Sequence, residues 1–155
     1  MKGTLNLGLK FTPNVNVHSM SVYSDASYGV KRSQTGTVVL WGDDTLAWRS
    51  SKQPQVAKSS ADSEATAMAA SVILAGCVKA LLESMIVPVE TYTLFGDNNA
   101  AIVLSTGEGS WKTKALANRV AWIKEAVREN RLEILYVPTA EQVADGLTKK
   151  CLVPK

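Results

Sequence analysis

The chain has 155 residues, of which 46% are hydrophobic, and a formal net charge of +3 at pH 7. This length is enough for one domain with a substantial core, and the mild basicity permits a polyanionic partner without requiring one. There are two cysteines, Cys77 and Cys151, and one histidine, His18. Composition therefore argues against a disulfide framework, against a zinc centre, which normally uses His and Cys ligands, and against a serine–histidine–aspartate triad.

The predicted elements form a meander of strands and then alternate between helices and strands. Apolar and β-branched patterns predict strands at 19–26, 36–41, 45–50, 90–95 and 131–137. Helices are expected at 61–85, 97–104 and 112–130, with a last one near Glu141, where Thr139 and Gln142 have the spacing of a capping box. This order predicts an α/β fold with a five-stranded mixed sheet, three antiparallel strands followed by two parallel ones, and helices on both faces.

The expected organisation is an N-terminal arm at 1–18, one folded domain at 19–150 and a short tail at 151–155. Residues 65–82 are long and apolar enough to span a membrane, but they are rich in alanine and include Ser, Thr, Gly and Lys. A helix packed between the sheet and other helices is therefore expected, without membrane contact. Gly42-Asp43-Asp44 is similar to a polymerase metal motif, yet the flanking strands are too short for a polymerase palm and favour a hairpin turn.

Four carboxylates are candidates for one divalent-metal site. Glu64 lies near the start of the long helix, beside its apolar face, where a buried carboxylate without a partner is costly. Asp25 and Asp97 lie at strand ends, and Asp145 is expected on the last helix. Taken singly, Asp25 is a surface acid, Asp97 a helix N-cap and Asp145 an exposed helix residue. The order of the elements nevertheless places all four on one side of the sheet. Because Mg²⁺ prefers oxygen ligands, a site for two ions is expected.

Five stretches resemble one known family. Residues 23–26 (YSDA) are similar to its first motif, and residues 50–65 (SSKQPQVAKSSADSEA) are its most recognisable stretch. Residues 96–102 (GDNNAAI) and 136–149 (YVPTAEQVADGLTK) are similar to its last two motifs, and residues 2–9 (KGTLNLGL) look like the segment that leads out of a reverse transcriptase. The chain thus resembles, over nearly its whole length, the ribonuclease H domain of copia-type (Pseudoviridae) retrotransposon Pol polyproteins.

The resemblance implies a ribonuclease H-like fold and an endoribonuclease that hydrolyses the RNA strand of RNA/DNA hybrids during reverse transcription, with two Mg²⁺ ions, or Mn²⁺. It implies that Asp25, Glu64, Asp97 and Asp145 are the catalytic residues and metal ligands. The implied partners are the hybrid and the reverse transcriptase domain of the parent polyprotein. The implied location is the cytoplasm, in a virus-like particle, or the nucleus.

Two alternative functions stay open. One is a non-catalytic ribonuclease H-like module that binds nucleic acid and supports a reverse transcriptase. The other is a different nuclease on the same fold, such as an integrase or a Holliday-junction resolvase. Loss of a carboxylate would favour the module, and all four are present.

The sequence departs from the family pattern in two places. The family usually has Thr-Lys-His-Ile-Asp before its last strand, whereas here Ala115 and Ala117 replace the His and the Asp. Cellular ribonucleases H carry a histidine shortly before the final aspartate, and none precedes Asp145 here, as is common in the copia-type branch. Proton handling, substrate handling and product release are expected to differ accordingly.

The substrate contacts are expected to come from small polar and basic side chains near the carboxylates. A hybrid is recognised through its shape, phosphates and 2′-hydroxyls, and lysine and arginine neutralise phosphates. The RNA-strand candidates are Ser27, Asn98 and Asn99. The phosphate-binding candidates are Lys52, Lys58, Lys112, Lys114 and Arg119. The alternatives are that the two asparagines only occupy a first helical turn and that the basic residues are ordinary solvated side chains.

Overall fold

The computed structural model describes residues 8–11, 19–29, 31–89, 91–106 and 114–149. Most of the expected N-terminal arm and all of the expected tail lie outside these residues, so the proposed division of the chain stays a prediction. Lys112 also lies outside them.

Five strands and three α-helices make up the described fold. The strands are β1 (Met20–Ser27), β2 (Gln34–Trp41), β3 (Asp44–Lys52), β4 (Tyr92–Gly96) and β5 (Leu132–Tyr136). The helices are α1 (Ser60–Ser84), α2 (Asn99–Thr106) and α3 (Lys114–Arg128). Each begins and ends within a few residues of the predicted position. The turn between β2 and β3 contains Gly42 at φ 58°, a left-handed conformation that glycine adopts without strain, so the hairpin reading of this segment is correct.

The sheet has the strand order β3-β2-β1-β4-β5. The pairs β1–β2 and β2–β3 are antiparallel, whereas β1–β4 and β4–β5 are parallel. This confirms the predicted five-stranded mixed sheet. The crossover from β3 to β4 through α1 brings β4 beside β1, and it therefore sets the carboxyl ends of β1 and β4 side by side.

The hydrophobic core lies between one face of the sheet and the three α-helices. Val22 of β1 pairs with Val39 and Leu94 of the adjoining strands, and all three are fully buried. Opposite them, α1 contributes Met68 and Val72 to the same cluster. Because side chains alternate across a strand, Asp25 points to the other face.

That other face is partly covered by the C-terminal segment. It forms two short 3-10 helices, η1 (Thr139–Glu141) and η2 (Val143–Leu147), and these take the place of the predicted final α-helix. The predicted capping box is wrong, because the Thr139 hydroxyl donates to Asp97 instead. The Gln142 side chain accepts a hydrogen bond from the Ala144 backbone N–H, 3.2 Å away, and so caps η2.

Helix α1 has the length and apolar composition of a membrane span. Its Ala65, Ala67, Met68, Val72 and Ala75 are nevertheless buried inside the fold, packed against the sheet and the other helices. This packing accounts for the apolar residues on the buried side of α1, because a helix between a sheet and other helices needs small and aliphatic residues on a broad face.

Candidate metal centre

Two of the candidate carboxylates lie at the carboxyl ends of neighbouring parallel strands. Asp25 belongs to β1, and Asp97 directly follows β4. Tyr23 pairs with Phe95 across these strands, and their rings stack with centroids 4.9 Å apart. Since each aspartate lies two residues beyond this pair, the register brings Asp25 and Asp97 to the same level at one edge of the sheet.

Glu64 reaches this edge from the start of α1. The Ser59 side chain caps the helix by accepting a hydrogen bond from the Asp62 backbone N–H at 3.1 Å, which fixes where the helix begins. Buried Gln53 then ties the first turn to the sheet, because its Nε2 donates to Ser63 O at 2.8 Å and to Thr35 Oγ1 at 3.1 Å. Glu64 follows Ser63 and is itself buried.

These three residues form one carboxylate cluster. Asp25, Glu64 and Asp97 each offer an oxygen, and the three oxygens all lie within 4.8 Å of one another. Asp25 and Glu64 are 5% and 9% exposed, whereas Asp97 is half-buried at the rim. Lys149, a described lysine whose charge acts on Asp25, is paired with Asp145.

Burial and mutual repulsion raise the pKa values of Glu64 and Asp25. Burial is the largest cause for Glu64, the charges of Asp25 and Asp97 add to it, and a hydrogen bond from the Ala26 backbone opposes it, so that its pKa rises to about 8. Burial also raises the pKa of Asp25, against the lowering effect of a hydrogen bond from Thr148. A divalent cation would remove this penalty by stabilising the ionised forms.

Asp145 lies beside the cluster but is not part of it. One of its oxygens is 2.6 Å from Lys149 Nζ, and the exposed fractions of these two side chains are 26% and 62%. The hydrogen bond with Asp145 and the surrounding carboxylates raise the pKa of Lys149. Asp145 is close enough to contribute to the raised pKa of Asp25. The fourth predicted ligand is thus adjacent to the cluster and paired with a lysine.

The cluster suits Mg²⁺ or Mn²⁺. Its donors are carboxylate oxygens only, which hard divalent cations prefer, and a softer metal would call for nitrogen or sulfur ligands. Three carboxylates within 4.8 Å leave a cation room to keep several waters, as Mg²⁺ usually does. The number of ions and the role of each residue remain predictions.

Two threonines that the sequence analysis did not single out donate hydrogen bonds to the cluster. Thr139 Oγ1 lies 2.8 Å from Asp97 Oδ2, and Thr148 Oγ1 donates to Asp25 Oδ2. Both threonines occur in residues 136–149, which carry the family resemblance, but nothing in their spacing indicated which carboxylates they would meet.

The described candidate substrate residues lie in several different parts of the fold. Asn98 caps α2, since its Oδ1 accepts a hydrogen bond from Ala101 N at 3.0 Å, as expected for a residue at the start of a helix. Asn99 and the two lysines Lys52 and Lys58 are exposed, and Ser27 is half-buried at the end of β1. Helix α3 contains Lys114 and Arg119. It also contains Ala115 and Ala117, the positions at which the family has the His and the Asp. All of these substrate roles stay predictions.

No family model matches the chain. Its sequence is 26% identical over 145 residues to the Gag-Pol polyproteins of the transposons Ty1-JR2 and Ty1-MR1 of Saccharomyces cerevisiae. The alignment covers 90% of this chain and 8% of each polyprotein. The chain therefore spans only a small part of the length of these curated relatives.

The fold is similar to that of solved ribonuclease H structures. The N-terminal ribonuclease H domain of a Mycobacterium tuberculosis protein matches with a TM-score of 0.66 at 16% identity, over 86% of this chain and 91% of that one. Ribonuclease H1 of Halobacterium salinarum matches with a TM-score of 0.63 at 17% identity, over 81% and 90%. LC11 ribonuclease H1 in complex with an RNA/DNA hybrid matches with a TM-score of 0.60 at 16% identity, over 83% and 92%.

The fold and its carboxylate edge thus define a ribonuclease H-like domain. The similarity to the yeast polyproteins supports the resemblance to the ribonuclease H domains of copia-type retrotransposon Pol polyproteins that the motifs carry.

Proposed function

We propose that the chain is an endoribonuclease that hydrolyses the RNA strand of RNA/DNA hybrids with two Mg²⁺ ions, which Mn²⁺ can replace. One observation carries this proposal: oxygens of Asp25, Glu64 and Asp97 lie within 4.8 Å of one another. They do so at the carboxyl ends of β1 and β4, in a ribonuclease H-like sheet. Burying several carboxylates close together costs free energy and does not stabilise the fold. A bound cation would offset this cost, and the cluster therefore supports a metal site.

The reaction adds water to phosphorus and breaks the bond between phosphorus and the RNA 3′-oxygen, which leaves 5′-phosphate and 3′-hydroxyl ends. Mg²⁺, when bound, would lower the pKa of the attacking water and stabilise the negative charge that develops on the leaving oxygen. The chain's part is to hold carboxylate oxygens in fixed positions. Asp25, Glu64, Asp97 and Asp145 would hold the ions, with Glu64 on the leaving-group side and Asp145 on the side of the attacking water.

Asp145 must exchange its partner for this role. Its carboxylate is paired with Lys149 in the structure, and the lysine is largely exposed, so this ion pair is of the kind that contributes little to stability. A cation can therefore compete for Asp145 at small cost. Lys149 released from the pair would remain near the scissile phosphate, where its positive charge is complementary to the substrate.

Hybrid binding is assigned to the residues around this edge. LC11 ribonuclease H1, which shares the fold, has been solved with an RNA/DNA hybrid, and this supports a hybrid as the substrate here. We assign Ser27, Asn98 and Asn99 to the RNA strand through its 2′-hydroxyls. The residues assigned to phosphates are Lys52, Lys58, Lys112, Lys114 and Arg119.

The polyprotein relatives support a place for this activity in reverse transcription. The proposed partner is the reverse transcriptase domain of the same polyprotein, whose product would be the hybrid that this domain degrades. We place the activity in the cytoplasm, in a virus-like particle, or in the nucleus.

A substrate panel tests the proposal. End-labelled RNA is offered as a hybrid with DNA, as duplex RNA and as a single strand, each with Mg²⁺ or with Mn²⁺. Cleavage of the hybrid alone supports the proposal. Tight hybrid binding without cleavage in either metal would favour the non-catalytic module, and cleavage of branched DNA in a parallel assay would favour a resolvase-like nuclease.

A further inference from the structure

The C-terminal segment, residues 139–148, contacts the carboxylate cluster at two separate points. Thr139 near its start donates to Asp97 Oδ2, and Thr148 at its end donates to Asp25 Oδ2. Thr148 Oγ1 also lies 3.0 Å from the backbone oxygen of Asp145. A hydroxyl has one proton, and the ionised carboxylate is the stronger acceptor, so the proton is assigned to Asp25.

Other contacts already hold this segment against the sheet. Gln142, which is 5% exposed, donates from Nε2 to the backbone oxygen of Ser24 at 3.0 Å. Ser50 Oγ donates to the backbone oxygen of Leu147 at 2.6 Å. The segment therefore has docking contacts besides the two threonine hydroxyls.

We propose that Thr139 and Thr148 are positioning residues of the metal centre, each hydroxyl holding one carboxylate, Asp97 or Asp25, in the orientation in which it shares a cation with Glu64. The inference rests on the proposed metal-dependent function and assigns a task within it to two residues outside the ligand set.

The chemistry of the donors supports this assignment. The terminal torsion of an aspartate is broad, so an unsupported carboxylate samples many orientations, and a hydrogen bond from outside the ligand set restricts it. A lysine or arginine in the same place would bring a positive charge and repel a cation. A threonine hydroxyl adds no charge, and its hydrogen bond favours the ionised carboxylate that a metal needs.

The test compares variants of the full chain that separate the hydroxyl from the methyl group. Thr139→Val and Thr148→Val keep the shape and remove the hydroxyl, whereas Thr139→Ser and Thr148→Ser do the reverse. The matched control is Thr93→Val, which removes a threonine hydroxyl that lies 3.4 Å from a carboxylate of Glu133 in the same sheet. Mn²⁺ binding is followed by electron paramagnetic resonance of the free ion, and hybrid cleavage is followed as a function of Mg²⁺ concentration.

We expect each Val variant to weaken Mn²⁺ binding about 10-fold, within the range for loss of a group that supports a metal ligand. The Ser variants and Thr93→Val should bind as the unmodified chain does. In cleavage, the Val variants should need more Mg²⁺, while KM for the hybrid at saturating Mg²⁺ stays the same.

Unchanged Mn²⁺ binding in both Val variants would overturn the inference. So would Ser variants that bind as weakly as the Val variants, because the methyl groups would then be what matters. If Thr148→Val does not fold, the Thr139 pair and Thr148→Ser decide in the same way. Failure of the proposed function has a different signature: the unmodified chain would not cleave hybrids, whatever the ranking of the variants in Mn²⁺ binding.

Discussion

Gly36 lies directly opposite Asp25 in the β1–β2 pair, and its lack of a side chain leaves the space that the C-terminal segment occupies. A Cβ at position 36 would lie 2.7 Å from the backbone oxygen of Ala144 and 2.8 Å from Thr148 Cγ2. The glycine thus lets the segment approach the sheet closely enough for Thr148 to reach the Asp25 carboxylate.

Gly36→Ala should therefore displace the C-terminal segment. We expect a loss of about 1–3 kcal/mol in the free energy of unfolding, as for other overpacked sites, together with weaker metal binding, measured by urea denaturation and Mn²⁺ titration. Gly146→Ala is the matched control, because a Cβ there has nothing within 4 Å. Equal effects of the two substitutions would contradict this account.

The pKa of Glu64 predicts an unusual dependence of stability on pH. Its value rises from 4.5 to about 8 on folding, so between these values the folded chain binds more protons than the unfolded chain. Without metal, stability should then be greatest at the low end of this window and fall as pH rises towards 8, by up to roughly 4 kcal/mol. Thermal unfolding in a chelating buffer across this range measures the effect.

Two comparisons check the assignment of that pH dependence to Glu64. Glu64→Gln should flatten the profile and be the more stable protein near pH 8 without metal. Added Mg²⁺ should stabilise the unmodified chain, because a ligand that binds only the folded state adds stability by mass action. The effect should be greatest at high pH, where Glu64 is already ionised and the cation does not have to displace its proton. A profile that is the same in the Gln variant would show that another group is responsible.

The ion pair between Lys149 and Asp145 predicts a change in metal affinity of the opposite sign to that of the threonine variants. Lys149→Gln removes a positive charge near three carboxylates and frees Asp145, so Mg²⁺ should bind roughly two- to five-fold more tightly at low salt. Arg131→Gln is the control, since it removes a charge from the pair with Glu129, which lies before β5. Calorimetric titration with Mg²⁺ compares them, and weaker binding by Lys149→Gln would refute the prediction.

The fold was predictable because its elements follow strong local patterns. The alternation in β1 and the long apolar run of α1 each predicted the right element, and the element order predicted the mixed sheet that the structure confirms. The structure of the C-terminal segment was harder to predict. Thr139 and Gln142 match a capping box in sequence, but the Thr139 hydroxyl donates its hydrogen bond to Asp97, 42 residues away. A local pattern cannot reveal a competing acceptor that only the tertiary structure brings near.

The site was predictable in its parts but not in its arrangement. The positions of Asp25, Asp97 and Glu64 at element ends indicated that they would meet, and three of the four predicted ligands do cluster. Asp145 is instead paired with Lys149, four residues further along the chain. That spacing permits an ion pair, but it does not show that Asp145 lies outside the cluster. The roles of Gly36 and Thr148 depend on a contact between residues that are far apart in the chain.

The most direct test of the proposed metal-dependent nuclease activity is hybrid cleavage by the unmodified chain and by Asp97→Asn. Asp43→Asn, in the exposed turn between β2 and β3, is the control for loss of an acid elsewhere. We expect Mg²⁺-dependent cleavage of the RNA strand that falls by more than roughly 100-fold in Asp97→Asn, beyond the loss typical of a group that merely supports a ligand, and is unchanged in Asp43→Asn. Equal cleavage by Asp97→Asn and the unmodified chain would contradict the assignment of this cluster as the catalytic centre.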